Sequence, residues 1–175
     1  MKDQSILRIF FLKMIDVYIA LGTNRGSRLG NIRLALERLR KTVVVEKISS
    51  LYLTQPVDIK GGWFINCVIK ARTDKDPLQL LNCLMQIEKR MGRIRGEREK
   101  RTIDLDLLFY GEKIIKKKTL TIPHPRLHQR RFVLVPLAEI NSQLKHPVFE
   151  KTIADLLREL QDFHEVEKIE QPISN

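Results

Sequence analysis

Residues 101–109 read Arg101-Thr102-Ile103-Asp104-Leu105-Asp106-Leu107-Leu108-Phe109, a short run in which apolar and acidic side chains alternate. This alternation is typical of a β-strand with one buried face, because successive side chains of a strand point to opposite sides. We expect four apolar side chains to face the core: Ile103, Leu105, Leu107 and Phe109. The carboxylates of Asp104 and Asp106 then lie side by side on the opposite face.

Two adjacent carboxylates repel each other and resist joint ionisation unless a cation lies close to both. Oxygen ligands at this spacing suit Mg²⁺, which commonly binds one or two carboxylates together with substrate phosphates. An isolated pair of this kind is more often a solvated strand face. Here seven basic residues lie between Lys89 and Arg101. They favour a site for a phosphorylated ligand, since arginines bind phosphate oxygens while carboxylates hold magnesium.

The segments around this strand predict the order β-α-β-β-α-β. Apolar runs predict strands at residues 17–21, 43–52, 63–72 and 102–110. A helical pattern covers 27–40, and Asp76, Pro77 and Gln79 form a capping-box signal for a second helix. A last amphipathic helix is expected over 152–160. We therefore predict an α+β chain with a ferredoxin-like βαββαβ core and C-terminal helical additions.

Composition limits the classes of protein to consider. The chain has 175 residues, a length that suits one compact domain, and its 43% hydrophobic residues exclude a mostly disordered chain. Its formal net charge of +11 predicts an anionic partner: nucleic acid, an anionic membrane surface or a phosphorylated small molecule. Two cysteines are too few for a disulfide framework or a Cys-rich zinc site.

The first residues form an apolar run, Ile6 to Ile15, which Arg8 and Lys13 interrupt. The run is too short to span a bilayer, and it lacks the small-residue cleavage site of a signal peptide. We expect residues 1–13 to be an extension that need not belong to the fold, and residues 14–175 to form a single domain. The absence of a recognisable targeting signal and the unpaired cysteines predict a cytoplasmic location without membrane association.

Four motifs carry a family resemblance: Tyr18-Ile19-Ala20-Leu21-Gly22-Thr23-Asn24, Gly92-Arg93-Ile94-Arg95, the Arg101–Asp106 segment, and Pro123-His124-Pro125 followed by Arg130 and Phe132. Together they resemble 6-hydroxymethyl-7,8-dihydropterin pyrophosphokinase of folate biosynthesis, over roughly residues 17–160. The resemblance implies transfer of the β,γ-pyrophosphoryl group of ATP to the hydroxymethyl oxygen of the pterin, with release of AMP. It also implies two Mg²⁺ ions, small-molecule substrates rather than nucleic acid, and a monomer.

The resemblance further implies roles for individual residues. Asp104 and Asp106 are expected to hold the magnesium ions and to act in catalysis. The arginines expected to act in catalysis are Arg93, Arg95, Arg98 and Arg101. The residues expected at the ATP site are Glu88, Arg93, Arg101, Leu107, Thr121, His124 and Arg130. Those expected in the pterin pocket, where two aromatic rings sandwich the bicycle, are Thr54, Val57, Phe64, Asn66 and Phe132.

Some positions leave alternatives open or depart from the family pattern. By pattern alone, Asn66 suits either a solvent-facing strand position or a hydrogen-bonding contact with a heterocycle. Many relatives have Arg-Trp-Gly-Pro-Arg before the diacid strand, whereas this chain has Arg98-Glu99-Lys100-Arg101, without an aromatic lid from this loop. Where relatives carry Tyr after the histidine of the last motif, this chain has Pro125.

The main alternative is a basic ferredoxin-like module that binds nucleic acid, which the net charge favours. The sequence has no strand with the aromatic pattern of an RNA-recognition motif, and the diacid would repel a phosphate backbone in the absence of metal. A second alternative is an ordinary kinase that releases ADP. The sequence lacks the Gly-x4-Gly-Lys-Ser/Thr pattern, which argues against a P-loop enzyme.

Overall fold

The computed structural model describes residues 14–93 and 101–170. The elements in chain order are β1 (Ile15–Thr23), α1 (Arg28–Arg40), β2 (Val44–Ile48), β3 (Leu51–Thr54), β4 (Phe64–Thr73), α2 (Pro77–Arg90), β5 (Asp104–Tyr110), β6 (Ile115–Lys117), β7 (Leu120–Ile122), a 3₁₀ turn (Leu127–Gln129), α3 (Arg131–Asn141), α4 (Ile153–Glu159) and β8 (Val166–Ile169). This order confirms the predicted α+β, ferredoxin-like class with C-terminal helices.

An antiparallel sheet organises the fold, with strand order β5-β1-β4-β3-β8 and with β2 also paired to β4. Apolar residues of α1 and α2 pack on one face of the sheet, around Ile19, Leu21 and Ile69. Helices α3 and α4 pack on the other face, around Tyr18 and Val68. The sheet is therefore buried on both faces, which accounts for the continuous apolar runs of its central strands.

The second helix begins at the predicted capping box. The carboxylate of Asp76 accepts hydrogen bonds from the N–H groups of Leu78 and Gln79, at 2.9 and 3.0 Å. The Gln79 side chain accepts in return from the Asp76 N–H at 3.1 Å. Two N–H groups of the first turn thus find acceptors, so this helix has a well-defined start.

The strand predicted over residues 43–52 is wrong as a single element, because Ser49 and Ser50 divide it into β2 and β3. At the division, the Ser49 hydroxyl accepts a hydrogen bond from the Val68 N–H at 3.0 Å and donates one to the Ser50 carbonyl at 2.8 Å. A side-chain hydroxyl thereby replaces a rung of the backbone ladder, which lets the chain bend without leaving a buried N–H unpaired.

The expectation that Phe109 faces the same core as Ile103, Leu105 and Leu107 is also wrong. Tyr18 pairs with Phe109 whereas Ile19 pairs with Leu107, so one extra residue lies in β5 between them. This bulge reverses the alternation, and Phe109 packs against the α3–α4 side, 6.0 Å from the Tyr18 ring in an edge-on arrangement. The alternation holds at Asp104 and Asp106, which precede the bulge.

The C-terminal part contains the helix predicted over 152–160, as α4, and two elements whose positions were not predicted, α3 and β8. Strand β8 pairs antiparallel with β3, from Leu51 opposite Ile169 to Thr54 opposite Val166. The described ranges contain no helix that is both long enough and apolar enough to cross a membrane. Residues 1–13, predicted as an extension, lie outside those ranges, so the boundary at residue 14 stays a prediction.

Candidate active site

A cavity of about 470 Å³ opens at one end of the strands β1, β3, β4 and β5, beside the start of α3. Its charged side is formed by Arg93, Arg101, Asp104, Asp106, Arg126 and Arg130. Its less polar side is formed by Thr54, Val57, Phe64, Asn66 and Phe132. The cavity therefore combines a region suited to a phosphorylated, metal-bound ligand with a region suited to a flat polar ring.

Strand register explains why the two sides meet. Gly22 of β1 pairs with Asn66 on β4 and with Asp104 on β5, so the amide and the carboxylate flank the same glycine. A Cβ atom at Gly22 would lie 2.5 Å from the Asn66 Oδ1, well inside van der Waals contact. The predicted first strand ends at residue 21, directly before Gly22. Its place in the Tyr18–Asn24 motif was the only signal of a role at the site.

Asp104 is the more strongly paired of the two aspartates. Its Oδ1 lies 2.8 Å from Arg93 Nη1, and its Oδ2 pairs with Arg101. The Asp104 side chain is 12% exposed, whereas the side chains of Arg93 and Arg101 are 31% and 29% exposed. With Arg126 and Arg130, four arginines face the carboxylates of Asp104, Asp106 and Glu88, which leaves net positive charge for an anionic ligand.

Asp106 has weaker partners than Asp104. Arg130 Nη1 lies 3.9 Å from Asp106 Oδ2, and His124 Nε2 lies 4.0 Å from Asp106 Oδ1. Burial, together with the neighbouring charge of Asp104, raises the pKa of Asp106 to about 6. A nearby cation would stabilise the ionised form of Asp106, so the pair of aspartates fits a divalent metal bound by oxygen ligands.

Glu88, on the last turn of α2, holds the start of the diacid strand. Its Oε1 accepts a hydrogen bond from the Leu105 N–H at 2.7 Å and pairs with Arg93. The residue is 7% exposed, and burial raises its pKa. Because Leu105 lies between the two aspartates, Glu88 fixes both the strand that carries them and the arginine that faces Asp104.

His124 follows Pro123 in the loop after β7. Its backbone N–H donates to the Leu108 carbonyl at 2.9 Å, and its Nδ1 accepts from the Arg126 N–H at 3.3 Å. Burial and the charges of Arg130 and Arg126 lower the pKa of His124 to about 4. The imidazole is therefore neutral at pH 7, and its Nε2 lies near Asp106, which lines the cavity, although His124 itself does not.

The less polar side of the cavity is built on β3, β4 and α3. Asn66 is 7% exposed and donates from Nδ2 to the Thr54 Oγ1 at 2.7 Å, so it does not face bulk solvent. Phe64 is 8% exposed, and the Arg130 guanidinium lies 5.4 Å from the centroid of the Phe132 ring. The amide, the hydroxyl and two aromatic side chains together suit a heterocycle with polar edges.

The remaining predicted residues have different positions. Leu107 is buried in the core, and Thr121 is exposed on β7; neither lines the cavity. Arg95 and Arg98 lie outside the described residues. Seven further lining residues were not among the predicted site residues: Ala20, Leu21, Gly22, Gln55, Asp58, Ile59 and Arg126.

Comparison with known proteins gives a consistent result. Residues 18–142 match the model of the 7,8-dihydro-6-hydroxymethylpterin-pyrophosphokinase family. A 2-amino-4-hydroxy-6-hydroxymethyldihydropteridine pyrophosphokinase of Aquifex aeolicus is 38% identical over 146 residues, covering 81% of this chain and 90% of the relative. The protein of the same name from Haemophilus influenzae is 40% identical over 154 residues, covering 85% and 95%.

Some similar proteins are much longer than this chain. The folic acid synthesis protein fol1 of Pneumocystis carinii is 42% identical over 156 residues, which are 87% of this chain and 21% of that protein. Among solved structures, the wild-type HPPK-DHPS of Plasmodium falciparum matches with a TM-score of 0.68 and 19% identity, over 83% of this chain and 44% of the other. At that identity the structural match supports the fold alone.

Proposed function

The chain belongs to the 7,8-dihydro-6-hydroxymethylpterin-pyrophosphokinase family and is an ATP-dependent pyrophosphokinase of folate biosynthesis, and we propose that its cavity performs the complete transfer reaction. The hydroxymethyl oxygen of 6-hydroxymethyl-7,8-dihydropterin attacks the β-phosphorus of ATP. The bond from that phosphorus to the α,β-bridging oxygen breaks, AMP leaves, and the hydroxymethyl group loses its proton. The products are AMP and the pterin diphosphate.

One observation carries this proposal: a single cavity holds the diacid, the arginines and the amide–aromatic wall together. A pyrophosphoryl acceptor must reach the β-phosphorus of the nucleotide, so both ligands need adjacent positions. Asp106 and Asn66 lie on either side of β1, on β5 and β4 respectively. This separation suits a pterin ring on one side and a triphosphate on the other.

The pterin binds at the less polar side. Phe64 and Phe132 supply the aromatic faces for the bicycle, and Val57 adds an apolar contact. The Asn66 amide, held by Thr54, offers a donor and an acceptor to the polar edge of the ring. A ring that satisfies this buried amide is favoured over an apolar ring of equal size, because unpaired buried polar groups are costly.

The nucleotide binds at the charged side. Arg93 and Arg101 leave Asp104 to contact phosphate oxygens, and Arg130 adds a third guanidinium on the same side. Because Nδ1 of neutral His124 accepts from the Arg126 N–H, its proton lies on Nε2, which donates one hydrogen bond without adding charge. Glu88 acts through Arg93 and Leu105 as a positioning residue. Leu107 and Thr121 remain predicted nucleotide contacts, as do Arg95 and Arg98 of the preceding loop.

Magnesium is the cation that this donor set fits. Among residues 14–93 and 101–170 there is no cluster of three or more His, Cys, Asp or Glu side chains placed for a metal. Asp104 and Asp106 would hold the ion, with phosphate oxygens and water as its remaining ligands. Bound magnesium supplies positive charge to the phosphates during transfer. Two ions per site, a monomeric state and a cytoplasmic location remain predictions from the sequence.

A product assay tests the proposal. The purified chain is incubated with ATP, Mg²⁺ and 6-hydroxymethyl-7,8-dihydropterin, and AMP and ADP are separated by ion-exchange chromatography. We expect AMP in amounts equal to the pterin diphosphate, and none without pterin. ADP instead of AMP would contradict pyrophosphoryl transfer. Absence of turnover in folded protein, together with tight RNA binding, would support the nucleic-acid alternative.

A further inference from the structure

The start of α3 depends on a carboxylate from the C-terminal segment. Arg131 is the first residue of this helix, and its N–H donates to Asp162 Oδ2 at 2.8 Å. Arg130, the residue before the helix, makes no side-chain capping bond. Because the first N–H groups of a helix lack partners within it, Asp162 acts as a cap from 31 residues away.

Asp162 is suited to this position. Its side chain is 8% exposed, and its Oδ1 accepts from the His164 N–H at 3.0 Å and lies 2.5 Å from His164 Nδ1. Burial opposes its ionisation, but the hydrogen bonds from Arg131 and His164 outweigh this effect and lower the pKa of Asp162. A negative charge therefore lies at the positive end of α3.

The same segment also binds the loop after β3, a second element that lines the cavity. The Gln55 N–H donates to the Glu165 carbonyl at 3.1 Å, and the Gln55 Oε1 accepts from the Glu165 N–H at 3.0 Å. Strand β8 then continues this pairing along β3 as far as Leu51. Gln55 lines the cavity and follows Thr54 directly, so the loop after β3 is fixed where it meets the ligand space.

The two attachments are close along the chain. Asp162 and Glu165 are three residues apart, a separation that an extended chain spans in at most about 11 Å. One attachment adjoins Phe132 at the start of α3 and the other adjoins Thr54 at the end of β3, and both residues line the same cavity. The length of this short connection therefore limits how far apart these two elements can move.

We propose that residues 162–169 form a C-terminal clasp that sets the width of the pterin pocket, with Asp162 as a positioning residue for Phe132. This inference rests on the proposed function, since it takes the less polar side of the cavity as the pterin site. The clasp touches neither substrate. It acts by holding the first turn of α3 against the loop after β3, so that a flat ring enters a gap already formed.

The test compares Asp162→Ala with Asp162→Asn and with Asp155→Ala as a matched control. Asp155 also accepts capping bonds, from Thr152, but it caps α4 away from the cavity. Pterin dissociation constants are measured by fluorescence with α,β-methylene ATP present, which prevents turnover, and the affinity of that analogue is measured by calorimetry. Melting temperatures report the stability of each variant.

We expect Asp162→Ala to weaken pterin binding about tenfold while changing the affinity of the ATP analogue much less. Asp162→Asn retains an acceptor for the Arg131 N–H and restores most of the pterin affinity. Asp155→Ala lowers the melting temperature to a similar extent but leaves the pterin dissociation constant unchanged. Equal pterin affinity in wild type and Asp162→Ala would overturn the clasp, as would an equal loss in Asp155→Ala.

A second variant keeps the test decisive if Asp162→Ala does not fold. Gln55→Met has a similar side-chain length but cannot accept from the Glu165 N–H, so it loosens the other attachment. We expect weaker pterin binding here too, and faster hydrogen exchange at the Glu165 amide; unchanged pterin affinity despite faster exchange would reject the proposal. Failure of the wild-type chain to bind pterin would instead refute the proposed function.

Discussion

The Asn66 side chain lies over Gly22, and its Oδ1 occupies space that a Cβ at position 22 would need. A Cβ there would be 2.5 Å from that oxygen, while the other end of the amide is held 2.7 Å from Thr54 Oγ1. The amide therefore has little freedom to move away. The orientation of the Asn66 amide, which we propose faces the pterin ring, therefore depends on the absence of a side chain at Gly22 on the neighbouring strand.

Gly22→Ala is accordingly expected to weaken pterin binding about tenfold or more, because the new methyl group must displace the Asn66 amide. Fluorescence titration with pterin measures the effect. Gly62→Ala is the matched control, since a Cβ at that position meets no atom within 4 Å. Pterin affinity equal to that of wild type in Gly22→Ala would show that Asn66 does not orient the ring.

The two aspartates should respond differently to neutralisation. Asp106→Asn removes the charge that burial and Asp104 disfavour, so we expect turnover to fall by about 10³-fold while the melting temperature stays equal or rises. Asp104→Asn leaves Arg93 and Arg101 without their shared partner, so we expect a loss of about 1–2 kcal/mol in the free energy of unfolding as well.

Activity assays combined with thermal unfolding in metal-free buffer separate the two effects. Asp16→Asn serves as the control, because Asp16 is 47% exposed on β1 and pairs with Lys70 rather than with the cavity residues. A folded Asp106→Asn variant with near-normal turnover would remove the proposed role of Asp106 in holding the metal. A marked loss of stability in this variant would contradict the repulsion between the two carboxylates.

Local sequence signals predicted the parts of the fold that depend on neighbouring residues. The Asp76–Gln79 capping box and the alternation at Asp104 and Asp106 are of this kind, because side chains within a few residues determine them. The bulge at Leu107–Phe109 and the break at Ser49 depend on the strand opposite, which no local pattern describes. Period-two alternation alone therefore placed Phe109 on the wrong face.

In the candidate site, too, local groupings were predictable and contacts between distant residues were not. The diacid and the arginine-rich segment were recognisable as a group because they are consecutive in sequence. Gly22 and Asn66 meet only through strand register, and Asp162 meets Arg131 only after the C-terminal segment returns to the cavity. Asp162 caps a helix that begins 31 residues earlier, and the residues around Asp162 do not indicate this role. The sequence therefore did not predict the cap.

Glu139 on α3 joins the helix to β3 and to the turn before it, and its loss should reduce stability rather than catalysis. Its carboxylate accepts from the Ser50 N–H at 3.0 Å, from the Ser50 hydroxyl at 2.7 Å and from the Tyr52 hydroxyl at 2.7 Å. Glu139→Ala is expected to lower the free energy of unfolding by about 2 kcal/mol, because three donors lose their acceptor.

Urea unfolding measures this change. Glu37→Ala is the comparison variant, since Glu37 pairs with Lys41 at a position where both side chains are more than 60% exposed. We expect a change in the free energy of unfolding below about 0.5 kcal/mol. Glu139 does not line the catalytic cavity, so kcat should be retained at temperatures where the variant is folded. Equal stability of the two variants would show that the Glu139 hydrogen bonds contribute no net stabilisation.

His146 should make the stability of the fold depend on pH. The residue is 3% exposed, its Nδ1 accepts from the Val148 and Phe149 N–H groups at 3.3 and 3.4 Å, and burial beside His128 lowers its pKa to about 4. The unfolded chain, with a histidine pKa of about 6.5, takes up a proton at a higher pH than the folded chain does. Stability is therefore lost between pH 6.5 and 4, by roughly 2 kcal/mol.

His146→Asn isolates this contribution. The Asn Oδ1 takes the place of Nδ1 as the acceptor for the two N–H groups, but it does not titrate. Urea unfolding at pH 7.5 and pH 4.5 should show a smaller loss of stability on acidification in the variant than in the wild type, although the loss of ring packing against Phe109 lowers both values. His128, whose pKa is also lowered by burial, keeps part of the pH dependence. If the two proteins lose the same stability on acidification, protonation of His146 does not oppose folding.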